Sequence, residues 1–425
     1  MKACIIGAGS SGLAACKVFK DHGIGYDCYE KGSDIGGLWW FGNDNGMSSI
    51  YKNLCINTSK QMMAYSDFRM PKDYPDYPGH ELIHRYFKSY AEHFGFRDRI
   101  HFNTAVTHVE KKDGKYIVDT DKHKGLEYDA VVVCNGHHWN PKMVQFEGNF
   151  SGRQMHSHDY KSADEFAGEK ILIIGIGNSA VDIACELSSV AAKTVISTRS
   201  GAYVVPKYLF GLPTDHISQP PLAYAPLAFQ RIALKTMLLL NTGKQDTYGL
   251  PEPKRPILSE HPTISQNLLG IIKAGKIKIK PNVRKLDGRE VIFEDGSKED
   301  FDVIIYSTGY YMTFPFFDRS FIDPKENEMP LYHKVVHPEH KNLFFLGLIQ
   351  PLGAIMPLSE QQAIWIAKIL KGEVKLPGKD EMLRIIEKNR DDMRKRYKSS
   401  TRHTVQVDFY PYKKLIQDEI RKRAG

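Results

Sequence analysis

Glycines, an acid and an arginine recur in this chain at spacings that suit the grip of a dinucleotide. Near the start, "CIIGAGSSG" sets out Gly7, Gly9, Ser10, Ser11 and Gly12, and Glu30 closes the run "YDCYE" about twenty residues past the last glycine. In such a turn Gly7 lets a strand bend sharply, Gly9 lets backbone approach a pyrophosphate, and Gly12 lets a helix pack close to the strand. The helix start then offers unpaired N–H groups and a positive dipole end to the phosphates, and the Glu30 carboxylate suits the ribose hydroxyls. A second copy follows in "ILIIGIGNSA", with Gly175, Gly177, Asn178 and Ser179, and with Ala180 in place of the third glycine. The strand-like run after it ends not in an acid but in Arg199, flanked by Thr198 and Ser200. A guanidinium there pairs with a 2′-phosphate, which an acid would repel. The second cradle therefore reads as an NADPH site and the first as a site for a different dinucleotide; the plainer alternative for Arg199 is a solvated surface charge. Past Glu30, Gly36, Gly37, Leu38 and Trp39 make another flexible turn beside a large ring. That clearance and apolar cover suit the isoalloxazine of FAD. The adjacent His137 and His138 suggest a metal pair at first glance, but neighbouring residues on a strand point apart and no third ligand is evident, so no metal is expected.

Each cradle needs a strand, a turn, a helix and a second strand. The apolar runs at 3–6 and 171–174 supply the strands, Leu13, Ala14 and Val18 the first helix, and Val181, Ile183, Ala184 and Leu187 the second. The run 302–306, leading into Thr308 and Gly309, reads as a strand that returns to the first sheet. The expected organisation is an α/β chain with a FAD-binding domain in two parts, 1–165 and 299–425, interrupted by an NADPH-binding domain at 166–298. The length of 425 residues agrees with more than one core.

Ordered matches along nearly the whole chain add a family resemblance: "GGLWWF", "INTSKQMM", "YPDYPGHELIHRYFKSYAEHFGF", "CNGHH", "GIGNSAVDIACELS", "STGY" and "GLIQPLGAIMPLSE". Together with Phe150, Gly152, His156 and Tyr160 in "FSGRQMHSHDY", they resemble the flavin-containing monooxygenases that oxygenate nitrogen and sulfur. The similar Baeyer–Villiger enzymes normally carry tryptophan where this chain has Tyr160. The resemblance implies two Rossmann-like dinucleotide-binding domains, FAD and NADPH as cofactors, and a cycle in which flavin reduced by NADPH meets O2 and forms a C4a-hydroperoxide that a soft nucleophile attacks. It implies that Asn57, with Thr58 beside it, lies next to the flavin ring. Flavin contacts carry over to Gly7, Gly9, Ser10, Ser11, Gly12, Glu30, Gly37, Leu38, Trp39 and Val106, and Gln350 is a further cofactor contact. Pyridine-nucleotide contacts carry over to Gly175, Gly177, Asn178, Ser179, Thr198, Arg199 and Ser200. Phe150, Gly152, His156 and Tyr160 would form a linker that couples the two domains, or, for His156, a hydrogen-bonded residue without catalytic duty. Ile56 and the pair Ala180 and Val181 depart from the commoner family pattern.

Composition fits this picture and removes others. The formal charge of +8 is spread along the chain, and the basic stretch "RDDMRKRYKSSTRH" reads as a solvated helix face, so no nucleic-acid partner is expected. Six cysteines without a CxxC pair point to reduced thiols and a cytoplasmic protein, and set aside a disulfide reductase. Met1 leads straight into a strand, which leaves no room for a signal peptide, and the ending "LIQDEIRKRAG" gives no hydrophobic tail. No apolar run reaches the ~18 residues of a spanning segment. The nearest, 226–240, is broken by Arg231 and Lys235 and reads as a packed helix, with an interfacial membrane helix as its alternative. The expected partners are a small-molecule substrate and O2, with no transmembrane anchor and a homodimer left open. Two other functions share the same cofactor sites: a Baeyer–Villiger oxygenase acting on ketones, and an NADPH oxidase or redox-sensing flavoprotein.

Overall fold

The run "KACII" forms the strand Lys2–Ile6, buried from Ala3 onward, at the centre of a five-stranded parallel sheet. The order is Leu343–Phe345, Ala130–Val133, Lys2–Ile6, Gly25–Tyr29, Ile100–His101, and Ile5 faces Cys28 on one side and Val132 on the other. Strands covered on both faces read as unbroken apolar runs, as "AVVV" and "LFF" do here. The helix Ser10–Asp21 buries Leu13, Ala14, Val18 and Phe19 and packs against the helix Met356–Leu370, on which Phe409–Lys422 lies in turn. A separate antiparallel sheet, Val106–Lys112, Lys115–Thr120 and Leu126–Tyr128, carries Tyr128 onto Asp27 and Tyr29 through hydrogen bonds of 2.6 and 2.7 Å. These elements make one compact unit, Met1–Ser48, Thr58–Asn140 and Tyr311–Gly425 in the computed structural model, which describes residues 1–397 and 404–423.

The second unit comprises Ser49–Asn57 and Pro141–Tyr310. Its parallel sheet runs Arg153–His156, Val303–Tyr306, Lys170–Ile174, Lys193–Ser197, Ile277–Lys280. The helix Asn178–Leu187 lays Ala180, Val181, Ile183, Ala184 and Leu187 into the core of this unit. A four-stranded sheet of Lys298–Asp300, Glu290–Phe293, Val283–Gly288 and Glu147–Phe150 adds Phe293, Phe301 and Phe150 to a second cluster.

Three expectations change. The strand Val303–Tyr306 does not return to the first sheet; it lies between Lys170–Ile174 and Arg153–His156, with Ile305 opposite both Ile173 and Met155. The chain therefore changes units after Asn140 and after Tyr310, rather than after 165 and 298, and Ser49–Asn57 belongs with the second unit. The segment expected as a linker is in part the edge strand of that sheet, Arg153–His156. The helix over 226–240 exists, as Leu227–Thr242, and packs by one face only: Leu234 and Leu238 join a cluster with Leu209 and Ile257, while Phe229, Ile232, Leu239 and Leu240 are exposed. Arg231 lies on the covered side, donating to the Ile257 carbonyl and the Ser259 hydroxyl.

All six cysteines are free, and Cys4, Cys16, Cys28 and Cys134 are buried. Among the described residues no helix is long and apolar enough to cross a membrane, and no cluster of three His, Cys, Asp or Glu side chains could hold a metal. The basic stretch near the C-terminus lies on the helix Lys379–Tyr397 up to its end; its last residues, 398–403, are outside the described residues.

Gly152 sits where a side chain has no room. A Cβ there would come within 2.4 Å of the Asp302 carbonyl oxygen and 2.6 Å of the Phe150 ring. The Arg153 amide donates to that same Asp302 carbonyl at 3.0 Å, so the backbone cannot back away without losing the pairing. Gly152→Ala should destabilise the second unit by about 1–3 kcal/mol, the usual cost of overpacking. The check is thermal or denaturant unfolding, with an unchanged transition counting against the close approach.

Candidate functional site

In the first unit the turn after Lys2–Ile6 is held by contacts that leave no room for side chains. A Cβ on Gly12 would stand 1.9 Å from the Gly7 carbonyl oxygen, and one on Gly7 would stand 2.8 Å from the Cys134 carbonyl oxygen. The helix that starts at Ser10 has no side-chain cap, so its first amides point outward unpaired by protein side chains. Glu30 is buried, with one oxygen accepting from the Ala8 amide at 2.8 Å and the other from the Gly32 amide at 2.7 Å and from Asn45 at 3.1 Å. A carboxylate is thus clamped beside the glycine turn. The second turn lies against the first: the Gly36 amide donates to the Ala8 carbonyl, and a Cβ on Gly37 would be 2.9 Å from the Gly9 Cα. Leu38 and Trp39 follow in a single 3₁₀ turn, both half-buried, and Ser48 donates to the Leu38 carbonyl at 2.9 Å. Ser11 pairs with Ser359 at 3.1 Å. Thr58 is buried, Val106 packs on the cluster around Tyr116 and Val118, and Gln350 joins a short strand through its amide and the Val405 carbonyl.

The second unit repeats the construction. The Gly175 amide donates to the Ser197 carbonyl, and a Cβ there would be 2.6 Å from the Ser307 carbonyl oxygen. Gly177 starts the helix Asn178–Leu187 without a side-chain cap, and Ala180 is fully buried, as the close packing point requires. The Asn178 side chain is already engaged, its Oδ1 accepting from the Ile264 amide at 2.7 Å. Ser179 is in the first helical turn. Thr198 is buried and bonded to the Ser200 carbonyl, whereas Arg199 between them is exposed and enters no ion pair among the described residues. The two cradles therefore end in opposite ways, one in a clamped acid and one in a free guanidinium.

Asn57 does not share a unit with Thr58, the next residue; it ends the segment Ser49–Asn57 of the second unit. Its amide oxygen is shielded from solvent and has no hydrogen-bond partner among the described residues. Such an atom costs about 1–3 kcal/mol unless something outside the chain satisfies it. Three residues that sequence reasoning missed hold this segment. The Tyr51 hydroxyl donates to Asp182 at 2.8 Å, and the Lys207 ammonium donates to the Ile56 carbonyl at 3.2 Å. The only signal for Tyr51 was an aromatic six residues ahead of Asn57, which by itself says nothing of a partner. Phe150 and Tyr160 of the fingerprint are both core residues: Phe150 lies among Leu172, Ile174 and Tyr306, and Tyr160 packs on Phe166 and edge-on to Tyr51 at 5.9 Å.

The sequence model of the flavin-binding monooxygenase-like family matches residues 1–424. The chain belongs to that family. Flavin-containing monooxygenase 5 of Rattus norvegicus is 39% identical to it over 99% of this chain and 83% of the relative. S-allyl-L-cysteine S-oxygenase from Allium sativum superimposes with a TM-score of 0.75 at 25% identity, over 99% of this chain and 88% of that one. Cyclohexanone monooxygenase in an open form gives a TM-score of 0.72 at 16% identity over 99% and 98%, a likeness of fold. As a member of this flavin monooxygenase family the protein is an NADPH-dependent oxidoreductase that uses FAD, built on two Rossmann-like units. Both cradles fit such cofactors, since each has the side-chain-free turn and the uncapped helix start that a pyrophosphate requires.

His156 is 2% exposed at the end of the edge strand, with its Nδ1 accepting from the His158 amide at 3.0 Å and its ring edge-on to Tyr310 at 5.1 Å. Burial holds its imidazole down to about 4, against a bond to the Gly309 backbone that works the other way. The ring is therefore neutral at physiological pH and is no proton donor. An unfolded imidazole takes up its proton near pH ~6.5, before the folded one does. Stability from this site is complete above about 6.5 and is lost as the pH falls toward 4. His156→Asn should flatten the fall in denaturation midpoint across that window relative to wild type. An equal slope in both proteins would show that His156 is not held neutral.

Proposed function

We propose that the protein oxygenates soft nucleophiles, amine nitrogen and thioether sulfur, at the expense of NADPH and O2. When bound, FAD would supply the hard chemistry, taking reducing equivalents from NADPH and activating O2 so that one oxygen atom can pass to a nucleophile. The chain's own part is to hold two dinucleotides and to keep stray protons away from the reacting oxygen. Glu30 would take the ribose of FAD, and the turn through Gly7, Gly9, Ser10, Ser11 and Gly12 its pyrophosphate, with Gly37, Leu38, Trp39, Thr58, Val106 and Gln350 around the rest. Gly175, Gly177, Asn178 and Ser179 would take the pyrophosphate of NADPH, and Arg199, with Thr198 and Ser200, its 2′-phosphate. Asn57 would offer an uncharged amide to the reacting group, able to hydrogen-bond yet unable to give up a proton. The observation that carries the reading is the contrast between the clamped Glu30 carboxylate and the exposed Arg199 guanidinium at the ends of two otherwise alike cradles. The named activity of the Allium sativum relative supports sulfur as an acceptor atom.

Two variants test the assignment. A charge-assisted bond to phosphate is worth about 1.5–3 kcal/mol, so Arg199→Ala should weaken NADPH by roughly ten- to a hundredfold and leave NADH nearly untouched. Michaelis constants for both coenzymes decide it, because an equal loss for both removes the phosphate role. Asn57→Asp puts a negative charge where the amide stood and should divert NADPH oxidation to H2O2, read as the ratio of peroxide formed to NADPH consumed with a thioether present. A wild-type enzyme that released all its reducing equivalents as peroxide, whatever amine or thioether was offered, would make the protein an oxidase.

A further inference from the structure

On the helix Asn178–Leu187, residues 178, 182 and 186 are four apart and so share one face, a turn above one another. Each of the three accepts a hydrogen bond from the same unit, two of them from the segment Ser49–Asn57. Asn178 accepts from the Ile264 amide at 2.7 Å, Asp182 from the Tyr51 hydroxyl at 2.8 Å, and Glu186 from the Asn53 side chain at 2.9 Å. The segment that ends in Asn57 therefore runs along the very helix whose first turn follows the NADPH-type glycine turn. Further ties keep it there: the Lys52 amide donates to the Lys161 carbonyl at 2.8 Å, the Lys161 ammonium to the Ile50 carbonyl at 3.4 Å, and the Lys207 ammonium to the carbonyl just before Asn57. Tyr51 is 5% exposed, and the fully buried Tyr160 ring packs edge-on against it.

We infer that Tyr51 and Asp182 are positioning residues, and that the 178–182–186 face of the nucleotide helix acts as a ruler that sets the place of the Asn57 amide. The inference rests on the reading of Asn57 given above. Glu186 and Asn53 are exposed enough for water to replace their bond, so the ruler is fixed chiefly at Tyr51. Asp182, its neighbour in space, is half-buried, and the phenol is the side-chain donor on its Oδ2. Tyr160 supports the arrangement: its fully buried ring packs edge-on to Tyr51 at 5.9 Å. The residue touches neither cofactor turn; it acts through Tyr51.

The test compares Tyr51→Phe, Asp182→Asn and Asp182→Ala with wild type and with Asn57→Asp, in the holoenzyme, with a thioether as substrate. Tyr51→Phe and Asp182→Ala remove the bond from either side, so that one remains informative should the other be poorly folded. Both should raise the fraction of NADPH that ends as H2O2 by roughly tenfold, in keeping with the sensitivity of reaction to a small displacement of an acting group, while the Michaelis constant for NADPH moves little. Asp182→Asn keeps an acceptor oxygen for the phenol and should restore most of the coupling. Amide hydrogen exchange across residues 50–57, measured without substrate, should quicken in the first two variants and stay near wild type in the third. If Tyr51→Phe lowers thermal stability but leaves both exchange and peroxide fraction unchanged, while Asn57→Asp still uncouples, the ruler is refuted and Tyr51 is ordinary packing. If Asn57→Asp itself fails to uncouple, the reading of Asn57 falls, and the positioning role with it.

Discussion

A carbonyl oxygen placed 1.9 Å from where a side chain on Gly12 would begin is the constraint on which the first unit depends. It brings the helix Ser10–Asp21 so close to the strand Lys2–Ile6 that the helix axis points its open end at the turn, and nothing but backbone can line that turn. The second unit has a turn of the same kind, where a Cβ on Gly175 would stand 2.6 Å from the Ser307 carbonyl oxygen, and Ala180 takes the sequence position that Gly12 has in the first. An alanine there costs less room than any larger residue, and its methyl is fully buried against the strand. With the backbone turns so alike, the two cradles differ most at the residue just past the next strand, where Glu30 and Arg199 stand.

Those two residues divide the chemistry by their surroundings as well as by their sign. Glu30 is buried and bound by two backbone amides and an asparagine, so its carboxylate is a fixed element of the turn. Arg199 is exposed between a buried threonine and a half-buried serine, with no carboxylate paired to it among the described residues. A cation without an internal partner is open to an anion in a way that one already neutralised is not, because no salt bridge has to be displaced first. The Thr198 hydroxyl, bonded to the Ser200 carbonyl, stiffens the backbone on either side of the arginine.

The glycine turns, their helices and both strand ends were legible in the sequence because each rests on local rules: a backbone that must come close, a dipole that must face a phosphate, a strand length that sets the spacing. What was not legible is pairing across long stretches of chain. Strands 153–156 and 303–306 lie side by side in parallel, yet "RQMH" has no apolar alternation and nothing local in either run names its partner. The apolar run 302–306 was rightly read as a strand but assigned to the wrong sheet, since a buried parallel strand looks the same in any sheet. The exposed face of the helix Leu227–Thr242 escaped for the converse reason: leucines and phenylalanines at helical spacing imply a covering partner, and the sequence does not say whether the same chain provides one.

Phe150, Gly152, His156 and Tyr160 show no periodic pattern in the sequence, and a linker coupling two domains is the role expected of them there. In the fold the glycine is there to let a strand edge approach a carbonyl, the phenylalanine to fill a core, the histidine to be buried and neutral, and the tyrosine to buttress Tyr51. All four serve the nucleotide unit. What the four share is burial or close backbone approach inside the second unit, which leaves that stretch little freedom to move. The Tyr51 phenol and the Asp182 carboxylate, with Tyr160 packed edge-on against the phenol, tie the segment that ends in Asn57 to the helix Asn178–Leu187, a link between residues far apart in the chain that no local pattern announces.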